Sequence, residues 1–110
     1  MATIEDFKKL DIRVGEILQV EPNKKAIKSA YKLKINFGEE LGIKSSSAQL
    51  CDNYKCEELV GRQILAVINF PPMLVAGYKS EVLVLAIVCS QNGTVLIQPS
   101  NKVKIGEKLA

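Results

Sequence analysis

The chain contains no histidine and no tryptophan in 110 residues. Without an imidazole it lacks the commonest general base, the commonest transition-metal ligand and every Ser-His or Cys-His nucleophile pair. Its three cysteines, Cys51, Cys56 and Cys89, are odd in number and none belongs to a C-x-x-C pair. Reduced thiols are therefore expected rather than a disulfide framework. No apolar run approaches the roughly 18–20 residues of a membrane span, so no membrane insertion is expected. The N-terminus, MATIEDFKKLD, is acidic early and has no apolar signal core, which points to the cytoplasm. Lys, Tyr and carboxylates remain for chemistry, but no acid pair stands at a recognisable spacing and no glycine loop could cradle a phosphate. No catalytic residue, metal ligand or cofactor is assigned. The chain reads as a binding protein.

What is present is the composition of one globular domain, 47% apolar and 25% charged, taken as a single unit over residues 1–110 with its core at about 9–100. The formal charge of +3 is small, but it is not evenly spread. Between Pro22 and Lys34 stand Lys24, Lys25, Lys28, Lys32 and Lys34 with no acid among them, and outside that segment ten basic residues face twelve acidic ones. A local positive footprint of this kind suits an anionic partner such as a nucleic acid. A solvated lysine-rich hairpin loop is the competing explanation.

Along the chain, Ile4, Phe7 and Leu10 recur at spacings of three after Thr3, Glu5 and Asp6, predicting a short amphipathic N-terminal helix. Residues 11–21, DIRVGEILQVE, predict a long strand whose apolar phase slips between Val14 and Ile17, with a bulge expected at Gly15. Tyr31 to Phe37, YKLKINF, alternates cleanly, with Tyr31, Leu33, Ile35 and Phe37 inward and Lys32 and Lys34 outward. A third strand is expected within residues 41–49, its serines small enough for close approach of other backbone or a ligand. Asp52 as cap and Gly61 as stop frame a short helix plugging one barrel end. ILAVINF before Pro71-Pro72 and VLVLAIVC in residues 82–89 predict two buried strands. Asn92-Gly93 marks a final hairpin. The stretch 69–86, NFPPMLVAGYKSEVLVLA, predicts a glycine-bearing, polar-tipped loop between those two buried strands. Such an arrangement is all-β: a five-stranded OB-fold barrel with a short capping helix and short N- and C-terminal extensions. Of six aromatic rings, Tyr31, Phe37 and Phe70 are expected in the core. Tyr54 and Tyr78 remain as possible stacking platforms, an inventory better suited to the shape and backbone of a folded RNA than to single strands.

Four segments together carry a family resemblance: DIRVG at 11–15, SSAQL at 46–50, NFPP at 69–72 and GYKSEVLVLA at 77–86. In this order they resemble the tRNA-binding-domain family, and within it the CsaA-type, export-related chaperones. The resemblance runs almost end to end. It implies an OB fold, a homodimer of two barrels, and partners comprising tRNA, unfolded precursor polypeptides and the secretion motor. It also implies that Lys79 and Ser80 help to hold the tRNA, since an ammonium and a hydroxyl can both donate to phosphate or sugar oxygens; a hydroxyl bonded to its own backbone is the other possibility for Ser80. Two departures stand out. Met73, Leu74 and Val75 occupy positions where many relatives are basic, and Leu83 stands where many tRNA binders have Met. Losing cations weakens phosphate contact, whereas an apolar, adaptable rim suits peptide segments. Packing of Met73 to Val75 against a dimer partner explains the same residues.

Two functional classes follow. The first is a non-catalytic RNA-binding module using Lys24, Lys25, Lys28, Lys32, Lys34, Lys79 and Ser80. The second is a chaperone that holds unfolded precursors on Met73, Leu74, Val75 and Tyr78, with no tRNA role required. Because the charged and apolar features lie in separate parts of the sequence, the two are expected to coexist.

Overall fold

The computed structural model describes residues 1–26 and 29–110; Lys28, expected in the cationic loop, lies outside them. In chain order the elements are α1 (Ile4–Lys8), β1 (Ile12–Pro22), β2 (Tyr31–Asn36), β3 (Ile43–Ala48), α2 (Cys56–Leu59), β4 (Gln63–Val67), β5 (Met73–Val75), β6 (Tyr78–Ser80), β7 (Leu83–Val84), β8 (Ala86–Cys89) and β9 (Gly93–Leu96). Five of the strands form an antiparallel sheet in the order β3-β2-β1-β4-β7. The sheet curls until Ser45 of β3 accepts backbone hydrogen bonds from Glu81 and Val82 just before β7, at 2.9 and 3.3 Å, leaving no long free edge at the seam. With one helical turn between β3 and β4, the topology is that of an OB-type barrel, as expected.

Period-two alternation builds the interior. Tyr31, Leu33, Ile35 and Phe37 are all buried, joined by Ile17, Leu50, Leu59, Ile64, Ala66, Val82, Val84 and Leu96. Leu59, fully buried on the single turn of α2, closes one end. The cap of that turn is Lys55, not Asp52, with the Lys55 amide donating to Glu58 Oε1 at 2.8 Å. Gly61, at φ +87°, takes the left-handed position beyond the turn.

The phase slip in β1 has a different origin from the one expected. β1 pairs with β4 without interruption from Ile12 to Glu16, so no bulge sits at Gly15; the extra residue against β2 is Leu18. Both faces of the early strand are covered. Ile12 and Val14 are buried outside the main cluster, where the C-terminal segment returns to bond Val14 through Gly106 and Glu107 and Ile12 through Leu109. Gly15 turns to the interior, and a Cβ there would lie 2.5 Å from Ile35 Cγ2 and 2.7 Å from Phe37 Cε1. Glycine is present because β1 and the β2 side chains pack too closely for anything larger.

Three further expectations are corrected. Phe70 does not enter the core but is 43% exposed, because the chain leaves the barrel at Asn69. The Asn69 side chain instead accepts from the Asp11 amide and donates to Lys9 O, both at 2.8 Å, pinning the segment that follows α1. The run VLVLAIVC is not one buried strand. It breaks at Leu85 into β7, on the barrel, and β8, which pairs only with β9 and leaves Ile87 and Val88 exposed. Finally, the stretch between Pro72 and Glu81 is not an open loop but a separate two-stranded hairpin, β5–β6. Among the described residues, no helix is long and apolar enough to cross a membrane.

Candidate nucleic-acid interface

The β5–β6 hairpin turns at Ala76 (φ +48°) and Gly77 (φ +79°). Two consecutive positive-φ residues are the signature of a type I′ turn, whose twist matches the flanking strands. Gly77 takes that position freely, whereas Ala76 does so against its Cβ. The hairpin lies across the outer face of the barrel and is tied down along its length. The Tyr78 hydroxyl donates to Leu33 O of β2 at 3.0 Å. Ser45 Oγ donates to Lys79 O at 2.6 Å. The Ser47 amide donates to Ser80 Oγ at 3.0 Å, and that hydroxyl in turn donates to Val82 O at 3.3 Å. The serines of β3 thus do admit close backbone approach, and the backbone is that of β6.

The lysine loop between β1 and β2 meets the tip of this hairpin. Asn23 is buried there, its Nδ2 donating to Val75 O at 3.3 Å and its Oδ1 accepting from the Lys25 amide at 3.1 Å. Between loop and hairpin runs a cleft of about 280 Å³ lined by Glu21, Pro22, Asn23, Lys24, Lys25, Lys32, Ala76, Gly77 and Tyr78. Lys32 and Lys34 project from the outer face of β2 to either register side of Leu33, and their ammonium nitrogens stand 5.6 and 5.9 Å from the centre of the Tyr78 ring. That is cation–π range. Burial raises the Tyr78 phenol above its ordinary pKa, reinforced by the nearby carboxylates of Glu21 and Glu81, so the hydroxyl keeps the proton it donates to Leu33. Its ring is a fixed wall of the cleft.

Lys24, Lys25, Lys32 and Lys34 are therefore brought together, and Lys79 follows directly after Tyr78. Lys79 is exposed and pairs across the hairpin with Leu74. The Ser80 hydroxyl bonds to β3 and to Val82 O, which fixes the backbone next to Lys79. Leu74 and Met73 are 76% and 66% exposed, and Val75 is partly buried. The apolar rim is therefore not sunk into this chain's own interior. Directly paired residues share a face, so Leu74 and Lys79 stand side by side on the outward face. The separation of apolar and cationic features expected from the linear sequence does not survive folding. Tyr54 is no free platform either, since Arg62 lies 5.0 Å over its ring and its hydroxyl accepts from the Leu96 amide. Two residues that sequence reasoning missed are Glu21, the lone acid of the cleft, and Asn23, the latch. Asn23 carried only a turn signal, and Glu21 looked like an ordinary strand polar.

A curled five-stranded barrel with a lysine-lined cleft beside an outer hairpin defines a small OB-fold binding module. Residues 12–108 match the family described as putative tRNA binding domain, and the chain belongs to that family. It is similar over its whole length to the crystal structure of a CsaA chaperone protein from Picrophilus torridus, with 50% identity, a TM-score of 0.94 and full coverage of both chains. It is equally similar to chaperone CsaA from Bacillus anthracis, with 49% identity, a TM-score of 0.94 and coverage of 100% and 99%. It is also 35% identical over 106 residues to the methionine–tRNA ligase of Methanococcoides burtonii, covering 96% of this chain but 15% of the ligase. The chain thus spans only a small part of that curated relative. The resemblance noted from DIRVG, SSAQL, NFPP and GYKSEVLVLA is borne out.

Proposed function

We propose that the protein is a non-catalytic tRNA-binding module that also acts, in the manner of a CsaA chaperone, as a holder of unfolded polypeptide. The observation that carries the first half is the convergence of Lys24, Lys25 and Lys32 from two segments on one cleft, with Lys34 beside the Tyr78 ring that bounds it. Ammonium groups arranged on a rigid frame bind phosphates chiefly by releasing counterions, and Lys79 extends the same surface along the hairpin. Ser80 serves by fixing Lys79. The second half rests on Met73, Leu74 and Val75, an apolar rim with an adaptable Met at its edge, and on the similarity to the two CsaA structures. The polypeptides would be unfolded precursors awaiting export by the secretion motor in the cytoplasm.

The working unit is a homodimer. The support for this is the amount of uncovered apolar surface: Leu83, Ile87 and Val88 are exposed, and Ile4, Phe7, Leu10 and Leu109 line an open groove between α1 and the C-terminus. Monomeric proteins rarely leave so much bare. A peptide-binding chaperone without a tRNA role is the second reading, favoured by the exposure of Leu74.

The test is to titrate purified protein with bulk tRNA and, separately, with a reduced unfolded polypeptide, then to compete one against the other. Leu74→Ser is expected to weaken polypeptide capture at least fivefold and tRNA binding less than twofold. An uncharged replacement is needed because an acid would sit opposite Lys79. No saturable tRNA binding at low salt leaves only the second reading, and polypeptide binding unaffected by L74S removes the rim from both.

A further inference from the structure

A carboxylate is out of place in a surface that grips phosphates, because it repels them. Glu21 nonetheless stands in the cleft among Lys24, Lys25 and Lys32. It pairs across the strands with Lys32, yet the closest approach of the two charges is 3.8 Å and the Glu21 side chain is 71% exposed. That distance is beyond hydrogen-bond length. Among the described residues its carboxylate accepts no hydrogen bond, and an ionised carboxylate can take donors at both oxygens. Beside it the cleft offers a fixed aromatic wall, Tyr78, and a tip without bulk, Ala76 and Gly77. A side chain at Gly77 would begin in contact with Lys25 Cδ, at 3.9 Å, and narrow the opening. The volume of about 280 Å³ lies just below the range for drug-sized ligands, fitting one ring system rather than a helical stack.

We infer that this cleft is a reading site for one unpaired guanine base of the bound RNA, with Glu21 accepting from its Watson–Crick edge. The inference rests on the RNA-binding function proposed above and adds a sequence preference to it. An ionised carboxylate can only accept. Guanine presents two adjacent donors, N1–H and the N2 amino group, that match its two oxygens. Adenine and cytosine each set an acceptor nitrogen beside their amino group, which would face the second oxygen, and uracil flanks its one N–H with two carbonyls. Unpaired bases splayed from a folded RNA are the usual targets of such edge reading. The neighbouring lysines hold the flanking phosphates while Tyr78 bounds the cleft on one side.

Five hairpin RNAs test this. They are identical except for one loop position in a uridine background, carrying guanine, inosine (guanine without its N2 amino group), adenine, cytosine or uracil, and binding is followed by fluorescence anisotropy at one salt concentration. Wild type is expected to favour guanine over the other four by about tenfold, the scale of a good bidentate base contact. Glu21→Gln, at an exposed position, is expected to bring the guanine hairpin down to the level of the rest. Equal binding of all five by wild type, or a guanine preference that persists in E21Q, overturns the inference and leaves Glu21 as a mere counterion for Lys32. Salt-sensitive but sequence-blind binding would leave the RNA-binding proposal standing, whereas no binding of any hairpin at low salt would remove both.

Discussion

Replacing Lys24 and Lys25 together by Gln tests the cationic surface with a magnitude set by the structure. Five lysines, Lys24, Lys25, Lys32, Lys34 and Lys79, lie around the cleft or along the hairpin next to it. Each neutralised phosphate contributes about 0.7–0.9 to the slope of log affinity against log salt, so five give a slope of about −3.5 to −4.5. Raising salt from about 50 to about 200 mM should then weaken wild-type tRNA binding roughly 100- to 500-fold. The double variant keeps three lysines and a slope of about −2.1 to −2.7, so the same change should cost it only about 20- to 40-fold. Fluorescence anisotropy with labelled tRNA across a salt series measures both. Lys8→Gln/Lys9→Gln is the control, because these lysines already pair with Glu5 and Asp6 on α1, at the opposite end of β1 from the cleft. Parallel slopes for wild type and K24Q/K25Q would refute the reasoning, as would a control that flattens the slope equally.

Two further predictions concern the frame. Gly15→Ala forces a methyl group into Ile35 and Phe37, and such overpacking costs about 1–3 kcal/mol. Tm should fall by about 4–8 °C per kcal/mol at fixed protein concentration, and an unchanged or raised Tm would show that β1 does not approach β2 so closely. Glu81 is held below the ordinary carboxylate pKa chiefly by the Ser45 amide, which donates to Oε1 at 3.0 Å. A group with a depressed folded pKa contributes stability that is present above its unfolded pKa of about 4.3 and is lost as pH falls through the folded value. The acid limb of thermal stability should therefore be shallower in Glu81→Gln than in wild type, and superimposable profiles would count against the Ser45–Glu81 contact.

The parts of the fold that were legible are those governed by local periodicity. YKLKINF reads as a half-buried strand because its period of two is unbroken, and all four inward side chains are buried. The single helical turn and Gly61 at its end were visible for the same local reasons. What misled were features decided by distant partners. Phe70 looks apolar enough for any core, but its burial depends on where the chain leaves the barrel. VLVLAIVC reads as continuous because no residue in it marks the break at Leu85; β7 follows β4 and β8 follows β9, and only that long-range pairing sets the break. The bulge was placed at Gly15 because glycine often marks one, whereas here glycine answers a steric demand from Ile35 and Phe37. For the site, clustered lysines were visible as charge. Their supports were not, because a serine or asparagine that holds backbone looks like any surface polar residue.

Those supports decide what kind of binder this can be. Long lysine side chains lose rotamer freedom when they engage a ligand, so a surface that relied on them alone would bind weakly and with little geometric preference. Here the backbone beneath them is already ordered. Val75 is held by Asn23, Tyr78 by Leu33, Lys79 by Ser45, and Ser80 by Ser47. Every residue of β6 is bonded to the barrel, and the loop carrying Lys24 and Lys25 is latched to the same hairpin. The backbone positions that carry the lysines are therefore set by the barrel, which favours a phosphate pattern of limited spacing, as in a folded RNA, over an extended strand. The same rigidity sets Leu74 beside Lys79 on one outward face, so a bulky RNA backbone and an unfolded segment held on Leu74 would overlap there. If both proposed ligands use that face, an RNA bound to one subunit would exclude a polypeptide from the same face of that subunit.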